Sequence, residues 1–113
     1  MANHAQQVEY GRAGLTVSAL GVGCAPLGGL FSSVSDEDVD ALIERALEIG
    51  VTYFDTAPFY GHGSSERRIG RGLSKVPRTS FRLSSKVGRV LEPGESTEPN
   101  EYVDLDPFTP VFD

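Results

Sequence analysis

An α/β fold with parallel strands is predicted for this chain by two observations. Short apolar runs of β-branched and aromatic residues alternate with stretches of helical periodicity, in the order strand, helix, strand, helix, strand. The connections between successive runs have the length of parallel βαβ units rather than of hairpins.

The elements follow in chain order. Val8-Glu9-Tyr10, a Gly11-Arg12-Ala13-Gly14 turn and Leu15-Thr16-Val17-Ser18 read as a small hairpin. Ala19 to Gly23 reads as a short apolar strand that enters a Gly/Pro-rich loop running to Ser33. Ser35 is a good N-cap, followed by Asp36, Glu37 and Asp38, whose charges suit the positive end of a helix. Val39, Leu42, Ile43, Ala46 and Leu47 then fall on one apolar face, and Gly50 is placed to end the helix in a left-handed conformation. Val51 to Asp55 is the second strand. Ser64 or Ser65 caps a shorter helix through about Leu73, with Ile69 and Leu73 on one side, and Phe81 to Lys86 is the third strand.

Composition narrows the class of protein. The formal charge of −6 belongs to the tail: residues 1–91 carry 9 acidic and 10 basic side chains, whereas 92–113 carry 7 acidic and no basic ones. No basic stripe with interleaved aromatics is present, so nucleic acid is not an expected partner. No apolar run approaches the length of a membrane helix, the first eleven residues lack a signal-like apolar core, and the lone Cys24 has no disulfide partner. A cytoplasmic location and no membrane partner are expected. Residues 1–91 form the expected structured portion, and 92–113, with Pro93, Pro99, Pro107 and Pro110 among the acids, read as a loop or a disordered tail.

The chemistry concentrates at the ends of the second and third strands. Alternation puts Asp55 on one face with Tyr53 and Val51, and Lys86 on one face with Ser84. If parallel strands finish on a common rim, Asp55 and Lys86 are neighbours there, and Tyr60 hangs over them from the following loop. A free phenol has a pKa of about 10, too high for easy proton exchange near neutrality, and an ammonium beside it favours the phenolate. A carboxylate paired with that ammonium keeps it charged and aimed. Such a phenol is a matched acid for a carbonyl oxygen, or a base for an alcohol. Taken singly, a strand-end Asp, a loop Tyr and a Lys after a strand are commonplace.

The intervening residues change that balance. Phe54-Asp55-Thr56-Ala57, then Tyr60-Gly61, Gly63-Ser64-Ser65-Glu66 and Ile69-Gly70, resemble the second-strand signature of the aldo/keto reductase family. Leu20-Gly21-Val22-Gly23-Cys24-Ala25-Pro26-Leu27 resembles that family's first strand, and Ser84-Ser85-Lys86-Val87-Gly88 its third, so the likeness is collinear over roughly residues 10 to 89. Ala25 to Phe31 looks most like bacterial sugar and pyridoxal dehydrogenase members.

The resemblance implies part of a (β/α)8 TIM barrel: an N-terminal hairpin, the first three parallel strands and two helices. It implies NAD or NADP as cofactor, and a small carbonyl or alcohol as substrate. Tyr60 is then the proton donor, Asp55 and Lys86 its tuning partners, and Gly23, Cys24 and Ala25, together with Asp55, lie by the cofactor. No counterpart of the family's fourth-strand His is found. The chain is therefore expected to be truncated, and marginal, aggregation-prone or partner-dependent by itself. A non-catalytic relative that binds cofactor or a partner protein is the alternative.

Other signals carry less. Gly21-x-Gly23 with Gly28 is not a dinucleotide-binding turn, because Pro26 intrudes and no helix starts until Asp36. Cys24 reads as a packed or rim-lining thiol, and no metal site is expected. Arg67, Arg68 and Arg71 read as the wet side of a helix, and His4 and His62 as solvent-exposed.

Overall fold

The computed structural model describes residues 3–29 and 32–88. The acidic segment 92–113, expected to be a loop or tail, lies outside the described residues. Strands β1 (Gln7–Tyr10) and β2 (Leu15–Ser18) form an antiparallel hairpin. Its turn is closed by Gly11 and Gly14 at φ of 70° and 75°, values that glycine adopts without the steric cost of a side chain. Then come β3 (Gly21–Gly23), a 3₁₀ turn (Ala25–Gly28), α1 (Asp36–Glu48), β4 (Tyr53–Asp55), α2 (Ser64–Leu73), a second 3₁₀ turn (Arg78–Ser80) and β5 (Arg82–Ser84).

The three later strands make a parallel sheet in the order β3-β4-β5. Its register sets Val22 beside Phe54 beside Leu83, and Gly23 beside Asp55 beside Ser84. Alternation then separates two faces. Phe54, fully buried, meets Val39, Ile43 and Ala46 of α1, Ile69 and Leu73 of α2, and Leu27 and Phe81 in one apolar cluster. The opposite face of β4 carries Tyr53 and Asp55.

Helix α1 starts where its sequence says it should. The Ser35 hydroxyl accepts the Asp38 N–H at 3.1 Å and the Asp38 carboxylate accepts the Ser35 N–H at 3.3 Å, a reciprocal capping box. Gly50 at φ 82° ends the helix as expected. The two helices approach closely because residue 72 is glycine: a β-carbon there would stand 2.3 Å from Ile43 Cδ1. Asp40 joins them on the outside, accepting from Arg71 at 2.9 Å and Lys75 at 3.1 Å.

All three parallel strands are shorter than expected. Ala19 and Leu20 stay out of β3 because their N–H groups bond back to Gln6 and His4. Val51 stays out of β4: its N–H bonds to Ala46 O, and its side chain joins the Phe54 cluster rather than the Tyr53–Asp55 face. Thr52 N–H is taken by the Ser18 hydroxyl at 3.0 Å, which pins the hairpin to the start of β4. The third strand is confined to Arg82–Ser84, so Lys86 stands in the loop two residues beyond it.

The expected cap of α2 is corrected too. Gly63, at φ 93°, is the N-cap, and neither Ser64 nor Ser65 occupies that position. The Ser65 hydroxyl is instead buried inside the first turn and donates to Cys24 O at 2.8 Å. Among the described residues, no helix is long and apolar enough to cross a membrane.

Candidate active site

Asp55 closes β4 on the sheet face away from the helices, and Lys86 reaches back to it from the loop after β5. Lys86 Nζ donates to Asp55 Oδ2 at 2.8 Å and to the Thr56 carbonyl at 3.0 Å. The same Nζ lies 5.2 Å from the centre of the Tyr60 ring, within cation–π range. The acid, the amine and the phenol expected from sequence thus gather at one end of the sheet.

Tyr60 is held there by a loop with unusual backbone. Gly61, His62 and Gly63 all have positive φ, at 65°, 49° and 93°, so the chain reverses sharply just after the tyrosine. Ser65 N–H bonds to Tyr60 O at 3.1 Å and Tyr60 N–H to Ala57 O at 3.2 Å. The 3₁₀ turn after β3 presses directly on this loop. A β-carbon at Gly28 would stand 2.6 Å from Tyr60 C and from Gly61 N, so two bare backbones are in contact.

Beneath the site lies a buried hydroxyl pair. Ser65 Oγ uses its single proton on Cys24 O, so it accepts from Thr56 Oγ1 at 2.7 Å. This chain ties β3, the residue after Asp55 and the start of α2 without leaving a polar atom unpaired.

Electrostatics follow from these contacts. Burial disfavours the charged form of Asp55, but hydrogen bonds from Lys86 and Ser84 and the ammonium charge outweigh it and hold the carboxyl below its ordinary value. The hydrogen bond to Asp55 is the main reason that the Lys86 ammonium sits above its ordinary value; the Asp55 charge and Tyr60 add to it. Both groups are therefore ionised across the neutral range.

Gly23 stands beside Asp55 in the sheet register, and nothing lies within 4 Å of where its β-carbon would be. That open floor fits the close approach of a flat ring. Ala25 is half-buried at the start of the 3₁₀ turn. The Cys24 side chain is fully buried in the apolar cluster; burial, and then the Asp55 charge, push its thiol up to about 11. Cys24 therefore presents backbone rather than thiol to this region, and its N–H bonds to Asp55 O at 2.8 Å.

His4 is exposed, with Nε2 2.7 Å from Ile49 O at the end of α1, and His62 is exposed on the Tyr60 loop beside Phe59. Arg68 and Arg71 are not simply wet: Arg68 donates to Leu27 O, and Arg71 bridges to α1. Sequence reasoning put Ser84 on the face of Lys86 without giving it a task. In the structure its hydroxyl donates to Asp55 Oδ1 at 2.6 Å and lies 2.7 Å from Tyr53 Oη.

The pattern of the Aldo/keto reductase family matches residues 19–104. The chain is 46% identical over 88 residues to D-threo-aldose 1-dehydrogenase from a Pseudomonas species, covering 78% of this chain and 27% of that protein. It is 51% identical over 81 residues to pyridoxal 4-dehydrogenase from Microbacterium luteolum, covering 72% and 23% respectively. An aldo-keto reductase from Bacillus halodurans, solved in a holo form, superposes with a TM-score of 0.67 at 34% identity, over 79% of this chain and 28% of that one. The chain thus spans about a quarter of the length of these relatives. From the family match and the shared architecture together, this chain belongs to the aldo/keto reductase family, and its described strands and helices are part of a (β/α)8 barrel.

Proposed function

We propose that this segment supplies the proton-handling part of a nicotinamide-dependent oxidoreductase site, acting on a small carbonyl or alcohol such as an aldose, aldehyde or ketone. The observation that carries this reading is the position of Lys86 Nζ, 2.8 Å from Asp55 Oδ2 and 5.2 Å from the Tyr60 ring. An ammonium so placed favours negative charge on the phenol oxygen as its proton leaves, and Asp55 keeps the ammonium charged and aimed. Tyr60 Oη then gives its proton to a carbonyl oxygen, or takes one from an alcohol in the reverse direction. Asp55 stays ionised throughout, since the hydrogen bonds from Lys86 and Ser84 and the ammonium charge together outweigh the burial that favours the neutral acid.

NAD or NADP, when bound, supplies or accepts the hydride. Gly23, with no side chain and open space beside it, and the backbone of Cys24 and Ala25 are the groups that would line its approach, next to Asp55. With no β-carbon at residue 23, a planar ring would have room beside the sheet there.

The test uses nicotinamide-fluorescence titration of the 113-residue chain. It is run beside a chimaera in which residues 19–88 replace the matching segment of the Pseudomonas D-threo-aldose 1-dehydrogenase. The proposal expects carbonyl reduction or alcohol oxidation by the chimaera, lost on Tyr60→Phe. A folded chimaera that binds cofactor but turns over no carbonyl or alcohol would instead favour a binding role.

A further inference from the structure

We propose that Ser84 and Tyr53 are positioning residues, a directed pair of hydroxyls that hold the Asp55 carboxylate in the orientation that faces Lys86. This rests on the proposed role of Asp55 and extends it to two side chains outside the acid, phenol and amine.

The geometry sets the direction of every hydrogen bond in the chain. Asp55 is ionised, so both of its oxygens only accept. Oδ2 accepts from Lys86 at 2.8 Å and Oδ1 from Ser84 Oγ at 2.6 Å, which fixes the plane of the carboxylate from both ends. The one proton of the Ser84 hydroxyl is used in that bond. Its lone pair is therefore what meets Tyr53 Oη at 2.7 Å, and the phenol donates. Each donor polarises the next, so Tyr53 strengthens the bond that Ser84 makes to the charge.

Tyr53 is itself immobilised. Its ring packs on Tyr10 of the hairpin, with centroids 6.1 Å apart. It also lies across Gly21 of β3, where a β-carbon would fall 2.6 Å from Tyr53 Cδ1. The hydroxyl pair thus runs from the hairpin, across the sheet face, to the carboxylate. The register explains why these residues meet: Ser84 is level with Asp55 on the next strand, and Tyr53 precedes Asp55 by two on the same face.

The ionisable groups around Asp55 are Lys86 from the loop after β5, Tyr60 from the loop after β4, Tyr53 on its own strand and the Cys24 thiol beyond β3, with Arg82 one level down beside Tyr53. Lys86 is the charge in direct contact. Loss of the Ser84 bond removes one of the two side-chain donors that keep the carboxyl ionised.

The experiment follows the Asp55 carboxyl carbon by NMR in aspartate-labelled chain, and in the chimaera, for the parent, Ser84→Ala, Ser84→Thr and Tyr53→Phe. Ser84→Ala is expected to raise the proton affinity of Asp55 about tenfold, one pH unit in its midpoint. Ser84→Thr keeps the hydroxyl and restores the parent midpoint, and Tyr53→Phe raises the affinity only about twofold. In the chimaera, the acid limb of the kcat profile moves with the NMR midpoint while KM for cofactor stays within about twofold.

An alanine midpoint equal to the parent's, or a threonine variant that titrates like the alanine, overturns the proposal. Should Ser84→Ala lose its fold, Tyr53→Phe must still raise the midpoint, and no rise overturns it equally. Midpoints that move as stated in a chimaera without turnover support the hydroxyl pair and count against the proposed chemistry.

Discussion

Substituting Gly28 by alanine is the sharpest probe of how Tyr60 is placed. The added β-carbon would stand 2.6 Å from Tyr60 C and Gly61 N and 2.9 Å from Tyr60 O, all backbone atoms with no rotamer to yield. To reach an ordinary 3.4 Å contact, the loop must retreat by about 0.8 Å. Asp55 and Lys86 need not move, because their contact is made by other segments. The Tyr60 ring is then displaced from the position, 5.2 Å from Lys86 Nζ, that the Gly28 contact sets, by up to about 0.8 Å. Displacements of this size at a reacting group cost on the order of 10²-fold in rate. In the chimaera, kcat/KM for a carbonyl substrate should fall by about 30- to 100-fold, with the unfolding midpoint lowered by only a few degrees. Gly70→Ala is the matched control: no atom lies within 4 Å of its β-carbon position, it is exposed in α2, and alanine there should stabilise the helix by about 1 kcal/mol. A folded Gly28→Ala protein with kcat/KM within threefold of its parent would refute this account of Tyr60.

Three further outcomes are expected. Phe54→Ala removes a fully buried ring from the centre of the apolar cluster and should cost about 3–5 kcal/mol in urea unfolding; a loss below about 1 kcal/mol would mean that the cluster closes without it. Cys24 is fully buried with its thiol raised to about 11, so labelling by a small thiol reagent at pH 8 should be slow in the folded chain and fast in denaturant, and rapid native labelling would contradict its packing. The Asp55–Lys86 pair carries opposite pH signs: Asp55, lowered from 3.8, loses its contribution as pH falls through that lowered value, whereas Lys86, raised from 10.5, loses its own as pH rises through the raised one. The stability gap between parent and Asp55→Asn should therefore be flat from about pH 5 to 9, and a gap already closing at pH 6 would show that the pair is not formed.

The elements that were legible in sequence are those whose signals are local. Ser35 and Asp38 cap α1 through bonds three residues apart, and Val39, Ile43 and Ala46 mark its buried face by spacing alone. Strand ends are not legible in the sequence because they depend on distant partners: Thr52 gives its N–H to Ser18, and Leu20 to His4. Ser64 and Ser65 were plausible caps until the Ser65 hydroxyl found Cys24 O, 41 positions away. The acid, phenol and amine are each commonplace alone and stand out in the sequence only through the residues between them, Phe54 to Ala57, Tyr60-Gly61 and Gly63 to Glu66. Ser84 does not, since a serine in a strand announces nothing until cross-strand register sets it beside Asp55. The Gly28–Gly61 contact is of the same kind, because glycine in a loop signals a turn long before it signals two backbones touching.

Asp55 and Lys86 pair across only 31 positions, with Tyr60 between them. The three side chains therefore lie on one contiguous stretch and are transplanted together with it. An exchange of sequence upstream of residue 55 or downstream of residue 86 leaves these three side chains, and the Asp55–Lys86 contact, on one unbroken stretch.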